Sequence, residues 1–210
     1  MGGNGTGDRL NAFASARALT LAAVTPLSQA QLDFSPGAGR WSIGEVADHL
    51  LLAESEYRRE IGRLIDLLRA GKKPYLKRSF AEANVSPLFL PDAVLSLLET
   101  PLSMIGRFVP DAVRGVITEM PLLPTRNPDF ATPRPKRPAA ALKSDLAASL
   151  HDTRELIAAH PDIDFSQLVS EHPLMGRTNV PQILTFLAQH ERRHQRQMEK
   201  VRQSDGFPKV

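Results

Sequence analysis

Apolar residues recur every three or four positions through four separate segments of this chain. No stretch of useful length alternates with the period of two that a half-buried strand would show. Leu10, Phe13, Arg17, Leu21 and Val24 share one side of a segment from about Asp8 to Val24, which Pro26 ends or kinks. The longest stripe is Ile43, Val46, Leu50, Ala53, Tyr57, Ile61, Leu64 and Leu68. Its start is marked by Ser42-Ile43-Gly44-Glu45, a capping box in which the Ser hydroxyl takes one free N–H and the Glu carboxylate reaches back to another. Trp41 and Val46 are spaced for a hydrophobic staple across that cap, and Gly71 is placed to stop the helix. Leu142, Leu146, Leu150, Thr153 and Ile157 define a third segment from about Ala139 to His160. The fourth starts at Thr178 or Asn179 as N-cap, has Pro181 in its first turn, and runs to about Arg202. The expected fold class is all-α, a four-helix bundle.

Residues 72–141 break this pattern. They hold eleven of the seventeen prolines, and Pro87 to Glu99 and Leu102 to Ile117 are their best helical stretches. A long proline-rich insertion between the second and third helices suits a lid or pocket wall, and equally a packing or dimer-forming element. The basic run Pro133-Arg134-Pro135-Lys136-Arg137-Pro138 reads as a solvated linker. The glycine-rich residues 1–7 read as a flexible tail, and 8–203 as a single domain.

The chain has 210 residues and no cysteine, so it supplies neither a disulfide nor a thiol nucleophile nor a thiolate ligand. Its formal charge is only +3, which argues against a nucleic-acid partner. The first residues lack the apolar core of a secretory signal, and no window has the roughly 18 uninterrupted apolar residues of a spanning helix. The expectation is a cytoplasmic protein with no membrane partner.

The chemistry sits in the fourth segment. Val180, Ile183 and Leu187 begin an apolar stripe that resumes at Met198 and Val201, and the gap is filled by His190 and His194. Residues at i and i+4 lie on one helix face, so both imidazoles can reach one cation. His49 borders the core stripe of the second helix and is the natural third ligand. Three neutral imidazoles leave a coordination position open, as catalytic sites do. His151 reads as a surface residue, and His172 as a loop residue before Pro173. His160, ending the third helix, can complement its dipole. His190-Glu191-Arg192-Arg193-His194 also matches the H-E-x-x-H of zinc peptidases, but no histidine follows His194 to complete such a site. Glu191 points roughly 100° away from His190 on a helix and reads as a solvated charge rather than a general base.

Trp41-Ser42-Ile43-Gly44-Glu45-Val46-Ala47-Asp48-His49-Leu50, with the lead-in Leu27 to Gly37, resembles the second-helix motif of the DinB-like superfamily, also called the DinB/YfiT family. His172-Pro173-Leu174-Met175-Gly176, followed by His190 to Gln197, resembles that family's last helix and the loop before it. The resemblance covers about 8–70 and 140–202 and implies a four-helix bundle with a three-histidine metal site. The implied ligands fall on His49, His190 and His194. Known members include thiol transferases and a maleylpyruvate isomerase. By this resemblance the chain is expected to be a metal-dependent enzyme acting on a small-molecule substrate. Its cofactor would be a divalent metal ion, zinc or nickel, joined by an external low-molecular-weight thiol. Thiol transfer is favoured over metal-assisted hydrolysis, and a homodimer follows by analogy. The alternative is a non-catalytic ligand-binding or stress-response protein with a structural or vestigial metal.

Overall fold

The computed structural model describes residues 3–78, 131–172 and 176–209. The helical candidates within 87–117 lie outside the described residues. The described residues are mostly helical, with one small sheet among them. Helix α1 spans Gly3–Val24, α2 Gln29–Asp33, α3 Ile43–Arg69, α4 Ala139–Ala158 and α5 Val180–Arg202. Helix α1 packs against α5 and α4, and α3 packs against α4 and α5.

The caps follow the sequence. Ser42 Oγ accepts from the Glu45 N–H at 3.1 Å, and a Glu45 carboxylate oxygen accepts from the Ser42 N–H at 2.8 Å. Asn179 and Gln182 repeat the arrangement at the start of α5. At the end of α3, Gly71 adopts φ 67°, its N–H reaches the Leu68 carbonyl, and the Lys72 N–H reaches that of Leu67. Those two bonds form a Schellman ending, which requires the left-handed conformation that glycine takes without strain. Gly44 has a different reason to be glycine. A Cβ there would stand 2.9 Å from the Leu32 carbonyl oxygen, so the close approach of α2 to the first turn of α3 depends on its absence.

Three expectations are corrected. Helix α1 begins at Gly3, inside the stretch read as a flexible tail, and Thr6 is buried. The Ser28 capping box starts a short helix, α2, which adds to the four segments expected from periodicity. Strands are present: β1 (Tyr75–Lys77), β2 (Val169–His172) and β3 (Gly176–Asn179) form a sheet in that order. β1 runs parallel to β2, with Tyr75 opposite Val169. β2 runs antiparallel to β3, with Val169 opposite Asn179. Strands of three and four residues are too short for alternation to register in sequence. The sheet joins the C-terminal end of α3 to the start of α5, and it places His172 at the end of a strand rather than in a loop.

The core has two apolar halves. One gathers Phe13, Ile61, Leu64, Phe165, Ile183 and Leu187, and the other Val24, Leu32, Val46, Leu50, Leu146 and Met198. Between them each long helix contributes polar groups. Arg17 and Thr20 come from α1, Glu54 from α3, Ser149 and Thr153 from α4, and Glu191 from α5, all buried. Arg17 Nη1 lies 2.9 Å from Glu54 Oε2 and donates to the Leu146 carbonyl at 3.0 Å. Its Nη2 lies 2.6 Å and its Nε 2.8 Å from Glu191 Oε1. Thr20 donates to the other Glu191 oxygen. Ser149 and Thr153 donate to Glu54 at 2.7 Å each. Burial opposes the Arg17 charge, but Glu191 and Glu54 outweigh it and hold its pKa above the ordinary value.

Replacing Arg17 with Ala leaves two buried carboxylates without their shared partner. Urea denaturation should show stability lowered by about 3–5 kcal/mol.

Candidate metal centre

Helix α5 carries His190 and His194 on the face that continues its apolar stripe, and α3 brings His49 opposite them. All three are buried. Their potential ligand atoms lie within 4.8 Å of one another. His190 Nε2 stands 3.2 Å from His49 Nε2 and 3.0 Å from His194 Nε2. The set chosen from the stripes is therefore the set the fold brings together.

The opposite ring nitrogens decide what those Nε2 atoms can do. His49 Nδ1 lies 2.7 Å from the Ala131 carbonyl oxygen, which can only accept, so this nitrogen carries the proton. His194 Nδ1 lies 2.8 Å from Gln197 Oε1 and donates to it in the same way. Both rings then turn an Nε2 lone pair inward, the arrangement that orients metal-bound histidines. His190 Nδ1 has no hydrogen-bond partner among the described residues.

Two lone pairs converge on His190 Nε2, and a cation seated among the three nitrogens would take a lone pair from each. Nitrogens bound at 2.0–2.1 Å in a tetrahedral site stand about 3.3 Å apart, close to the separations here. The cluster therefore fits a divalent ion and could hold one.

The protonation states agree. Burial lowers the pKa of His49. Burial, and then the neighbouring His194 and His49, push His190 well below the ordinary range. Burial, and then His49, bring His194 down to about 3. All three are neutral at pH 7, as ligands must be. Trp41 packs on His49 at 4.9 Å between ring centres, and Phe186 stacks on His190 at 5.4 Å and 16°. His194 and Trp41 also border a cavity of about 350 Å³.

Asp48 shows how the neighbouring backbone is held. Its buried carboxylate receives the Arg134 N–H at 2.7 Å, Arg134 Nη2 at 2.8 Å and Arg137 Nη1 at 2.8 Å. Burial raises the Asp48 pKa, and bonds from Arg134 and Arg137 more than reverse it. The basic run read as a solvated linker is thus a clamp, and it secures the strand of chain whose Ala131 carbonyl holds His49. Nothing local in the sequence pairs 134 and 137 with 48.

Glu191 is also corrected. It is buried against Arg17, not solvated, and it lies in the polar layer rather than among the histidines. The signal for it was Arg17, a charge standing in an apolar stripe that needed a buried partner. His151 is exposed, as expected, and His160 Nδ1 donates to the Leu156 carbonyl at 2.9 Å in the last turn of α4.

Fold and site together define a mostly helical protein with a buried three-histidine cluster able to hold a metal ion. The chain belongs to the DinB superfamily, whose family model matches residues 12–198. No curated protein and no solved structure gives a significant match.

The lowered histidine pKa values set an acid limit on the metal-free protein. Below the unfolded value of about 6.5 the unfolded chain binds more protons, so the stability present above that pH is lost as pH falls toward 3. His194 alone should contribute a loss of about 2 kcal/mol at pH 5. Urea denaturation of metal-free protein at pH 7.5 and pH 5 measures it.

Proposed function

We propose that this chain is a metal-dependent enzyme in which His49, His190 and His194 hold one divalent cation, zinc or nickel, through their Nε2 atoms. The reaction assigned is transfer of an external low-molecular-weight thiol to a small-molecule substrate. The proposal takes α1 to α5 as one four-helix bundle domain of the DinB type, with the proline-rich segment between α3 and α4 as its insertion, working in the cytoplasm as a homodimer. The observation that carries it is the convergence of three Nε2 atoms, two of them on rings whose Nδ1 proton is already committed.

A bound divalent cation supplies Lewis acidity, lowering the pKa of a thiol or water in its open position. The protein's part is orientation and exclusion. Ala131 and Gln197 fix two ring tautomers, and Trp41 and Phe186 cover two imidazole faces. Glu191 and Asp48, the carboxylates next to ligand positions in sequence, are held by arginines, so neither is assigned as general base. Hydrolysis would use the same centre. The absence of cysteine from the chain means a thiol must come from outside, and the cavity beside His194 gives it room. That cavity favours catalysis over a purely structural ion, which would be closed off by protein ligands.

Elemental analysis tests the centre. The wild type should carry about one metal per chain, and the His190→Ala, His194→Ala double variant almost none. Gln197→Leu should weaken metal affinity about 10–100-fold by freeing the His194 ring. Thiol transfer that survives His190→Ala would overturn the assigned reaction.

A further inference from the structure

The geometry points to an oxyanion seat beside the metal centre: the cavity at His194, walled by Arg40, Arg193 and Lys200, takes a carboxylate or phosphate group of the substrate. This rests on the metal-centre reading and adds the charge of the substrate to it.

One wall is the C-terminal half of α5, where Arg193, Gln197 and Lys200 follow one another at helical spacings of four and three on the side that also carries His194. The other wall is the loop before α3, with Arg40 and Trp41. The volume of about 350 Å³ is that of a small-molecule pocket. Among the described residues, three of its lining side chains are cations and none is a carboxylate.

The other partly or fully buried arginines among the described residues are treated differently. Arg17, Arg58, Arg78 and Arg137 each meet one or more carboxylates. Arg193 is half-buried, and its side chain has no hydrogen-bond or ion-pair partner among the described residues. The same is true of the exposed side chains of Arg40 and Lys200. Unpaired cations facing one cavity repel one another, and a divalent ion at the histidines would add to that repulsion. An anionic ligand removes the conflict. A guanidinium presents two parallel N–H donors to a carboxylate or phosphate, and an ammonium adds a point charge. Gln197 spends its carbonyl oxygen on His194, which leaves its amide N–H groups as further donors toward the ligand. A substrate that places a metal-binding atom at the histidines and an oxyanion a few ångströms away is complementary to both halves of the site.

Trp41 is the only tryptophan and lines the cavity, so its fluorescence reports occupancy. Full-length protein loaded with cobalt(II) is titrated with 3-mercaptopropionate and with the neutral 3-mercaptopropionamide. The acid should bind about tenfold more tightly, and Arg193→Gln should reduce that ratio to about twofold with cobalt content unchanged. A ratio that persists in Arg193→Gln means that the carboxylate binds cobalt rather than the arginine, and it overturns the seat. Equal binding of acid and amide by the cobalt-loaded wild type overturns it too, while leaving the metal centre standing. In a second arm, acetate and inorganic phosphate are titrated into metal-free protein. A Trp41 response lost in Arg193→Gln supports the seat even if cobalt fails to bind, and the tighter of the two anions names the group.

Discussion

Arg17 is a full charge with no exposed surface, and everything packed around it must compensate for that. Its guanidinium reaches Glu191 on α5, Glu54 on α3 and the Leu146 carbonyl on α4. One side chain on α1 thereby sets the height of the other three long helices. Removing several charges from water costs several kcal/mol for each, and only near-complete hydrogen bonding offsets it. Thr20, Ser149 and Thr153 supply the remaining donors, and Arg58 at the edge brings a second positive charge 3.9 Å from Glu54. Apolar ridges alone would tolerate sliding of one helix along another. A directional network tolerates it poorly, because a displaced donor leaves a buried acceptor unmet.

The histidines inherit this register. Glu191 lies between His190 and His194 in sequence and on the neighbouring face of α5. When Arg17 holds Glu191, the rotation and height of α5 are set, and both imidazoles are turned toward α3. On α3, Glu54 stands five residues beyond His49, so the same network constrains the third ring. The cluster is thus carried on two helices that an ion network ties together. That is the condition for a site organised before its ligand arrives.

A second constraint comes from a distant stretch of chain. Asp48 draws Arg134 and Arg137 onto α3, and the chain between them and 131 delivers a carbonyl to His49. The basic run serves the structure through an acidic residue adjacent to a candidate ligand. Arg193, Arg40 and Lys200 have no such acidic counterpart among the described residues, and that contrast separates cations used for folding from cations available to a ligand.

Much was legible because it is local or periodic. The capping boxes at Ser42 and Asn179, the stop at Gly71 and the stripes of α3 and α5 involve residues within a few positions of one another, where backbone geometry alone sets who meets whom. The pair His190 and His194 stood out for the same reason, and His49 followed from its place beside a stripe. The partners of Glu191 and Asp48, the bond from Ala131 to His49 and the pairing of β1 with β2 join residues scores of positions apart. Short strands leave no period to detect, and an arginine does not announce which of many carboxylates it will meet. The sequence by itself determined the apolar stripes of the four long helices and the residues able to hold a cation. Only the tertiary structure decided which charges are buried together and what holds each imidazole in place, because those depend on helices meeting at one height.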